Sequence, residues 1–301
     1  MVETAMAQAT YRHLPKDSDE LVIRPFAFEF PDNLDPVWIP GNPVRSHFFN
    51  GISVAIPYLE PFMIRAVLKA KDQVSDPELL EDIAGFHRQE ANHYKCHRRY
   101  NDLLKTNGYP ELEELENIIT EQYARLETRS LRIQLAYSAG FESMANGVTH
   151  WLINKRVALF AGASPEVSSF WIMHMIEETE HKTVAFDAYM AYSGEYCPRV
   201  LGVLHGSSHI VSLGIRGMVR LLKKDKLLYR PSTWLSIAKE LSVCIHNVGP
   251  FLFRAILPGF NPRKERDPQW MKDWVKGYAA LPKDAAVPLL DTNNPEMPVP
   301  F

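Results

Sequence analysis

The sequence predicts an all-α protein: a four-helix bundle with additional C-terminal helices and an extended N-terminal arm. Three observations carry that expectation. Helical spacing of apolar residues runs nearly unbroken from about Ser46. Prolines crowd the first 45 residues and thereafter mostly mark the ends of helical runs. Two copies of Glu-x-x-His lie on separate helical runs, with two lone glutamates, Glu60 and Glu142, on two others.

The arm, residues 1–45, holds Pro15, Pro25, Pro31, Pro36, Pro40 and Pro43 among Phe26, Phe28, Phe30 and Trp38. Prolines at this density forbid a continuous helix, so the segment reads as an extended strap over the body. Its first part, Met1 to Asp19, is polar and lacks the apolar stretch of a signal peptide. The bundle is expected over 46–196, with helices near 46–71, 77–106, 112–128, 130–160 and 165–194. Pro77, Pro110 and Pro165 fit first turns, Asp76 and Ser164 are candidate N-caps, and Gly108 and Gly162 close two runs. Pro57 and Pro61 flank Glu60. Either they lie inside a kinked helix, or the helix begins near Ile56; both readings stay open. Residues 197–301 supply three further helical stretches, near 199–224, 232–256 and 267–280. These cover one end of the bundle or form a subunit interface, so a homodimer is one arrangement.

With 46% apolar and 23% charged residues, the composition is that of a globular protein. A net charge of -3 gives no reason to expect nucleic acid as a partner. Cys96, Cys197 and Cys244 form no Cys-x-x-Cys pair, which favours a reducing cytoplasm. The uncharged run between Arg199 and Arg216 contains His205 to His209 and is too short and polar to span a bilayer. A buried helix is expected there rather than a membrane contact.

The chemistry lies in Glu90-Ala91-Asn92-His93 and Glu178-Thr179-Glu180-His181. Residues three apart share a helix face, so each copy aims a carboxylate and an imidazole at one spot. With Glu60 and Glu142, four helices then supply the ligand set of a carboxylate-bridged dinuclear centre. His174 falls on the stripe of Glu178 and His181, which makes it a candidate ligand or a buried histidine bonded to a carbonyl. Glu177 flanks that stripe, and Glu180 lies opposite, where solvent is expected. His97, two turns beyond Glu90, is expected to orient a ligand rather than bind metal; His87 and Tyr94 are weaker candidates. Small residues around Glu142 (Ser138, Ala139, Ala145 and Asn146) leave room for a substrate or dioxygen pocket, or simply allow close packing. Phe62, Phe86 and Phe141 are cavity walls or core. Oxygen and nitrogen donors suit two Fe ions, with Mn or Zn as alternatives. Four buried glutamates without cations would be driven to protonate. Glu142 and Glu178 are the carboxylates expected to serve the reaction itself.

The stretch from Gly51-Ile52-Ser53 through Glu60, the run Phe86 to His93 with His97 and Asn101, and the Glu142 segment resemble the family of predicted metal-dependent hydrolases. That family belongs to the ferritin-like superfamily, and the resemblance spans residues 40–220. The ligand order is also similar to that of ferritin-like diiron oxygenases of the arylamine N-oxygenase type, which carry an extra histidine where His174 stands. By that resemblance Glu60, Glu90, His93, Glu142, His174, Glu178 and His181 are the seven ligands. The likeness is confined to ligand spacing, so no amine substrate is carried over. The leading expectation is a diiron monooxygenase that takes dioxygen, electrons from a donor or reductase, and a small apolar organic substrate. The alternatives are a dinuclear hydrolase and ferroxidase-like iron handling.

Overall fold

Asn42 ends the arm by capping the first helix: its Oδ1 accepts the Arg45 amide at 3.0 Å, and Pro43 occupies the first turn. The computed structural model describes residues 21–282 and 285–301; the polar Met1–Asp19 stretch and Pro15 lie outside them. Helix α1 runs Pro43–Ala70 without a break, so Pro57 and Pro61 are interior prolines. α2 is Pro77–Thr106, capped by Asp76, and α3 is Leu112–Glu127. The expected 130–160 helix divides at Lys155 into α4 (Leu131–Asn154) and α5 (Arg156–Phe160). The expected 165–194 helix divides into α6 (Pro165–His181), capped by Ser164, and α7 (Val184–Tyr192). At the second break Lys182 turns away to pair with Asp267 and donate to the Glu265 carbonyl. α8 (Tyr196–Lys224), α9 (Pro231–Ala255) and α10 (Gln269–Ala279) complete the chain.

Helices α1, α2, α4 and α6 form a ferritin-like four-helix bundle, with α3 and α7 packed along it. The described arm, residues 21–42, has no regular structure and drapes over the bundle, burying Phe26, Phe28, Leu34, Trp38 and Ile39. Asn50 fastens it: its Oδ1 accepts from Trp38 of the arm and Tyr100 of α2, and its amide donates to the Pro36 carbonyl. From Pro43 to Gln73 the chain is long and apolar enough to cross a bilayer, yet 72% of its apolar window is buried in the protein. It is a core helix.

An interior proline frees the carbonyl four residues before it. Pro57 and Pro61 therefore free the carbonyls of Ser53 and Pro57. α2 takes up both: Asn101 Nδ2 donates to the Ser53 carbonyl at 2.8 Å, and Arg98 donates to the Pro57 carbonyl at 3.4 Å. The prolines thus bond α1 to α2 beside Glu60.

α8 runs along the side of the bundle rather than over its end. It lies backbone to backbone against α1 and α4, because a β-carbon on Gly140 would overlap the Gly202 carbonyl and one on Gly51 would overlap the Gly214 carbonyl. Gly140→Ala is therefore expected to cost about 1–3 kcal/mol in urea denaturation through overpacking. Gly249→Ala on α9, which beyond its chain neighbours would meet only Ile245 Cγ2 at 3.9 Å but precedes Pro250, should change stability by less than about 1 kcal/mol. Equal effects at the two sites would refute the close contact.

Candidate metal centre

Each bundle helix turns donors inward at one level. α1 supplies Glu60, α2 supplies Glu90 and His93, α4 supplies Glu142, and α6 supplies His174, Glu178 and His181; all are buried. They gather into two groups, Glu60 with His93, His174 and Glu178, and Glu90 with Glu142 and His181; within each group the donor atoms lie within 4.8 Å of one another. Glu178 stands between the groups. Its Oε1 is 3.0 Å from His174 Nε2, 3.4 Å from His181 Nε2 and 4.0 Å from His93 Nδ1. Glu60 Oε1 is 3.3 Å from His174 Nε2, and Glu90 Oε1 is 3.6 Å from His181 Nε2.

The unpartnered atoms test whether cations fit. Both oxygens of Glu60, Glu90 and Glu142, Oε2 of Glu178, Nδ1 of His93 and Nε2 of His181 are buried with no hydrogen-bond partner. Such atoms are costly to bury unless something binds them. Burial pushes the carboxyls of Glu60, Glu90 and Glu142 well up, and neighbouring carboxylates push them further. Burial pushes Glu178 the same way, but His181 and His174 outweigh it and hold it down at about 2. Burial, with His174 beside them, drives His93 and His97 well below the usual imidazole range. All-oxygen-and-nitrogen donors of this kind fit a pair of divalent first-row cations.

The far side of each histidine is tied, and the ties set which nitrogen is free. Asn101 donates to the Ser53 carbonyl, so its Oδ1 accepts the Ser53 hydroxyl at 2.7 Å. Ser53 Oγ then accepts from His97 Nδ1 at 2.8 Å, and His97 Nε2 accepts from His174 Nδ1 at 2.9 Å. The nitrogen left over on His174 is Nε2, 3.0 Å from Glu178 and 3.3 Å from Glu60; it hydrogen-bonds Glu178 in the metal-free protein and would turn its lone pair on a bound cation. Gln89 acts likewise: its amide nitrogen donates to the Val22 carbonyl and Glu180, so its oxygen accepts from His181 Nδ1 at 2.9 Å. His93 is tied through Nε2 to Glu177 Oε2 at 2.8 Å. Neighbours of this type orient metal-binding imidazoles.

Glu180 corrects the sequence reading. It is buried, not solvated, because the arm covers that face of α6 and inserts Arg24, which forms a two-pronged pair with Glu180 and lies 3.5 Å from Glu177. Trp274 and Tyr278 of α10 flank the guanidinium. Helical spacing could have found Gln89, which shares a face with His93. Arg24, in a segment without periodicity, gave no signal. His87 is exposed and Tyr94 half-buried.

Beside the centre lies a cavity of about 620 Å³ that reaches His174 and Glu178. Phe141, Met144 and Ala145 of α4 wall it, with α1, α8 and α9. Phe86 instead packs edge-on against His181, and Phe62 against Tyr123 and Tyr137.

The sequence model of the family described as "Predicted metal-dependent hydrolase" matches residues 22–266. No curated protein and no solved structure matches the chain.

Two outcomes are expected. Stability follows proton uptake: above about pH 6.5, where the lowered imidazoles hold no proton in either state, raised carboxyls make the folded metal-free protein bind more protons than the unfolded chain. The stability of the chelator-treated protein should therefore fall as pH rises through neutrality, and metal loading should release protons, seen as a buffer-dependent calorimetric heat. Arg24→Ala strands two buried carboxylates and should cost about 3–5 kcal/mol. A thermal midpoint unchanged by that substitution would remove the clamp.

Proposed function

The chain belongs to the family of predicted metal-dependent hydrolases, and on that premise we propose that it is a dinuclear metal enzyme that hydrolyses an ester or amide of an apolar organic molecule. The observation behind this reading is the contact between an apolar cavity of substrate size and one of the two donor groups, made through His174 and Glu178. Glu60, Glu90, His93, Glu142, His174, Glu178 and His181 would hold the cations. Bound there, the cations would polarise a carbonyl and make a water molecule more acidic.

The chain's own residues do the rest. Phe141, Met144, Val211 and Val248 grip the apolar body of the substrate and exclude bulk water. Its reactive end then lies against His174 and Glu178, the cavity's only ionisable walls apart from Cys244. Glu142, with both oxygens buried and unpartnered, would face the cations as a carboxylate. His97 and Gln89 keep the imidazoles in the tautomers that face the centre, and Glu177 ties His93 from behind.

A second reading, a diiron monooxygenase, is favoured by the lining itself. Apart from Ser207, Ser208, Cys244 and the unpartnered indole N–H groups of Trp151 and Trp171, the walls away from the centre offer no polar side chain to recognise an ester or amide. An apolar substrate attacked at a C–H bond needs none. That reaction would take two Fe ions, dioxygen and an external electron donor. Hydrolysis stands first because the family match covers most of the chain, whereas the oxygenase likeness rests on ligand spacing.

Metal analysis of purified protein should give about two ions per chain. Glu142→Ala should fall below that while the helical signal in circular dichroism is retained; unchanged metal content would remove Glu142 from the set. Turnover in ¹⁸O-labelled water should label the product if the enzyme is a hydrolase. Label arriving from ¹⁸O₂ instead would establish the oxygenase.

A further inference from the structure

We propose that the face formed by α8 and α9 docks on an anionic lipid bilayer and that the cavity draws its substrate from that bilayer. The proposal rests on the reading of the cavity as a substrate site and names the source of the substrate.

Exposure points to this face first. Among the described residues, every large apolar side chain that is more than half exposed (Leu201, Leu204, Tyr229, Trp234, Leu235, Ile245 and Phe253) belongs to α8, α9 or the turn between them. α9 buries only Thr233, Ile237, Val248 and Ala255, and Trp234, Leu235, Ile245 and Phe253 project from it into solvent. Scattered exposed apolar residues need no explanation, but a concentration of this kind marks an interface.

The cavity opens on the same face. Leu204, Ile245 and Phe253 are at once exposed and part of its wall. α8 forms one side and α9 the other, and the far end is His174 and Glu178. A molecule dissolved in a membrane could pass from there to the centre without crossing water.

Charge selects the occupant. Residues 197–257 carry nine lysines and arginines against two acids, Asp225 and Glu240, in a chain of net charge -3. Both acids are engaged: Asp225 accepts from Tyr109 and lies 2.7 Å from His47, and Glu240 pairs with Arg45. Arg216, Lys223, Lys226, Arg230 and Lys239 are exposed and pair with no carboxylate among the described residues. A second copy of the chain would set one basic hairpin against another. A bilayer offers anionic headgroups to the lysines and acyl chains to Trp234, Leu235 and Phe253, the pairing that interfacial helices use.

Co-sedimentation with vesicles tests this without any turnover. The metal-loaded full chain should bind phosphatidylcholine vesicles containing phosphatidylglycerol, bind pure phosphatidylcholine at least about tenfold more weakly, and detach as salt rises. Leu235→Glu with Phe253→Glu, both at exposed positions, should weaken binding at least about tenfold while metal content is unchanged. Lys223→Glu with Arg230→Glu should weaken binding to the anionic vesicles alone. No binding to the anionic vesicles at low salt would overturn the proposal. So would a chain that sediments as a dimer and is made monomeric by the Leu235 and Phe253 substitutions. Vesicle binding by a protein that proves catalytically inert would uphold the docking face and remove only the reading of the centre.

Discussion

The structure depends on four glutamates and three histidines being buried together with their donor atoms turned toward a common space. Left bare, that space would set carboxylates against one another in a medium that poorly supports charge. Three of the four carboxyls are accordingly pushed up, and only Glu178, between the histidines, is held down. Two divalent cations carry a charge that four carboxylates balance. The bundle, the arm and the added helices can all be understood as parts that keep this set dry and aimed.

Aiming is done from behind. A histidine offers a lone pair to a metal only if its other nitrogen holds the proton, and that proton needs an acceptor. The longest of the supporting chains begins at a backbone defect. Pro57 frees the Ser53 carbonyl; Asn101 donates to it and is thereby fixed in one orientation; Ser53, His97 and His174 follow in order. A proline inside a helix is usually a disruption. Here the freed carbonyl fixes the direction of a hydrogen-bond chain that ends on His174, whose Nε2 faces Glu60 and Glu178.

How much of this was legible in the sequence depended on whether local rules governed it. The helix starts at Pro77 and Pro165, with their caps Asp76 and Ser164, follow from side chain and backbone chemistry within one turn. The shared faces of Glu90 with His93 and of His174 with Glu178 and His181 were legible because a spacing of three and four residues fixes a helix face, whereas Glu60 and Glu142 were placed by the order of the four-helix set. The breaks at Lys155 and Lys182 were not, since each depends on partners distant in sequence: Arg156 reaches the Glu296 and Met297 carbonyls, and Lys182 reaches Asp267. Glu180 was misjudged for the same reason. A helix wheel assigns a face to solvent only until another segment covers it, and the covering segment here has no period to read.

That covering segment joins both ends of the described chain to the centre. Arg24 comes from the arm, Glu177 and Glu180 from the ligand helix, and Trp274 and Tyr278 from α10. Glu177 touches His93, and Glu180 reaches His181 through Gln89, so two of the three imidazoles are tied to carboxylates that Arg24 holds. A buried guanidinium between two carboxylates is stable only while all three remain together. Release of the arm would therefore strand buried charge on the ligand helix and loosen His93 and His181. Cations bound by those histidines would favour the docked arm by linkage. α10 is then coupled to the candidate metal centre, although none of its side chains belongs to the donor set.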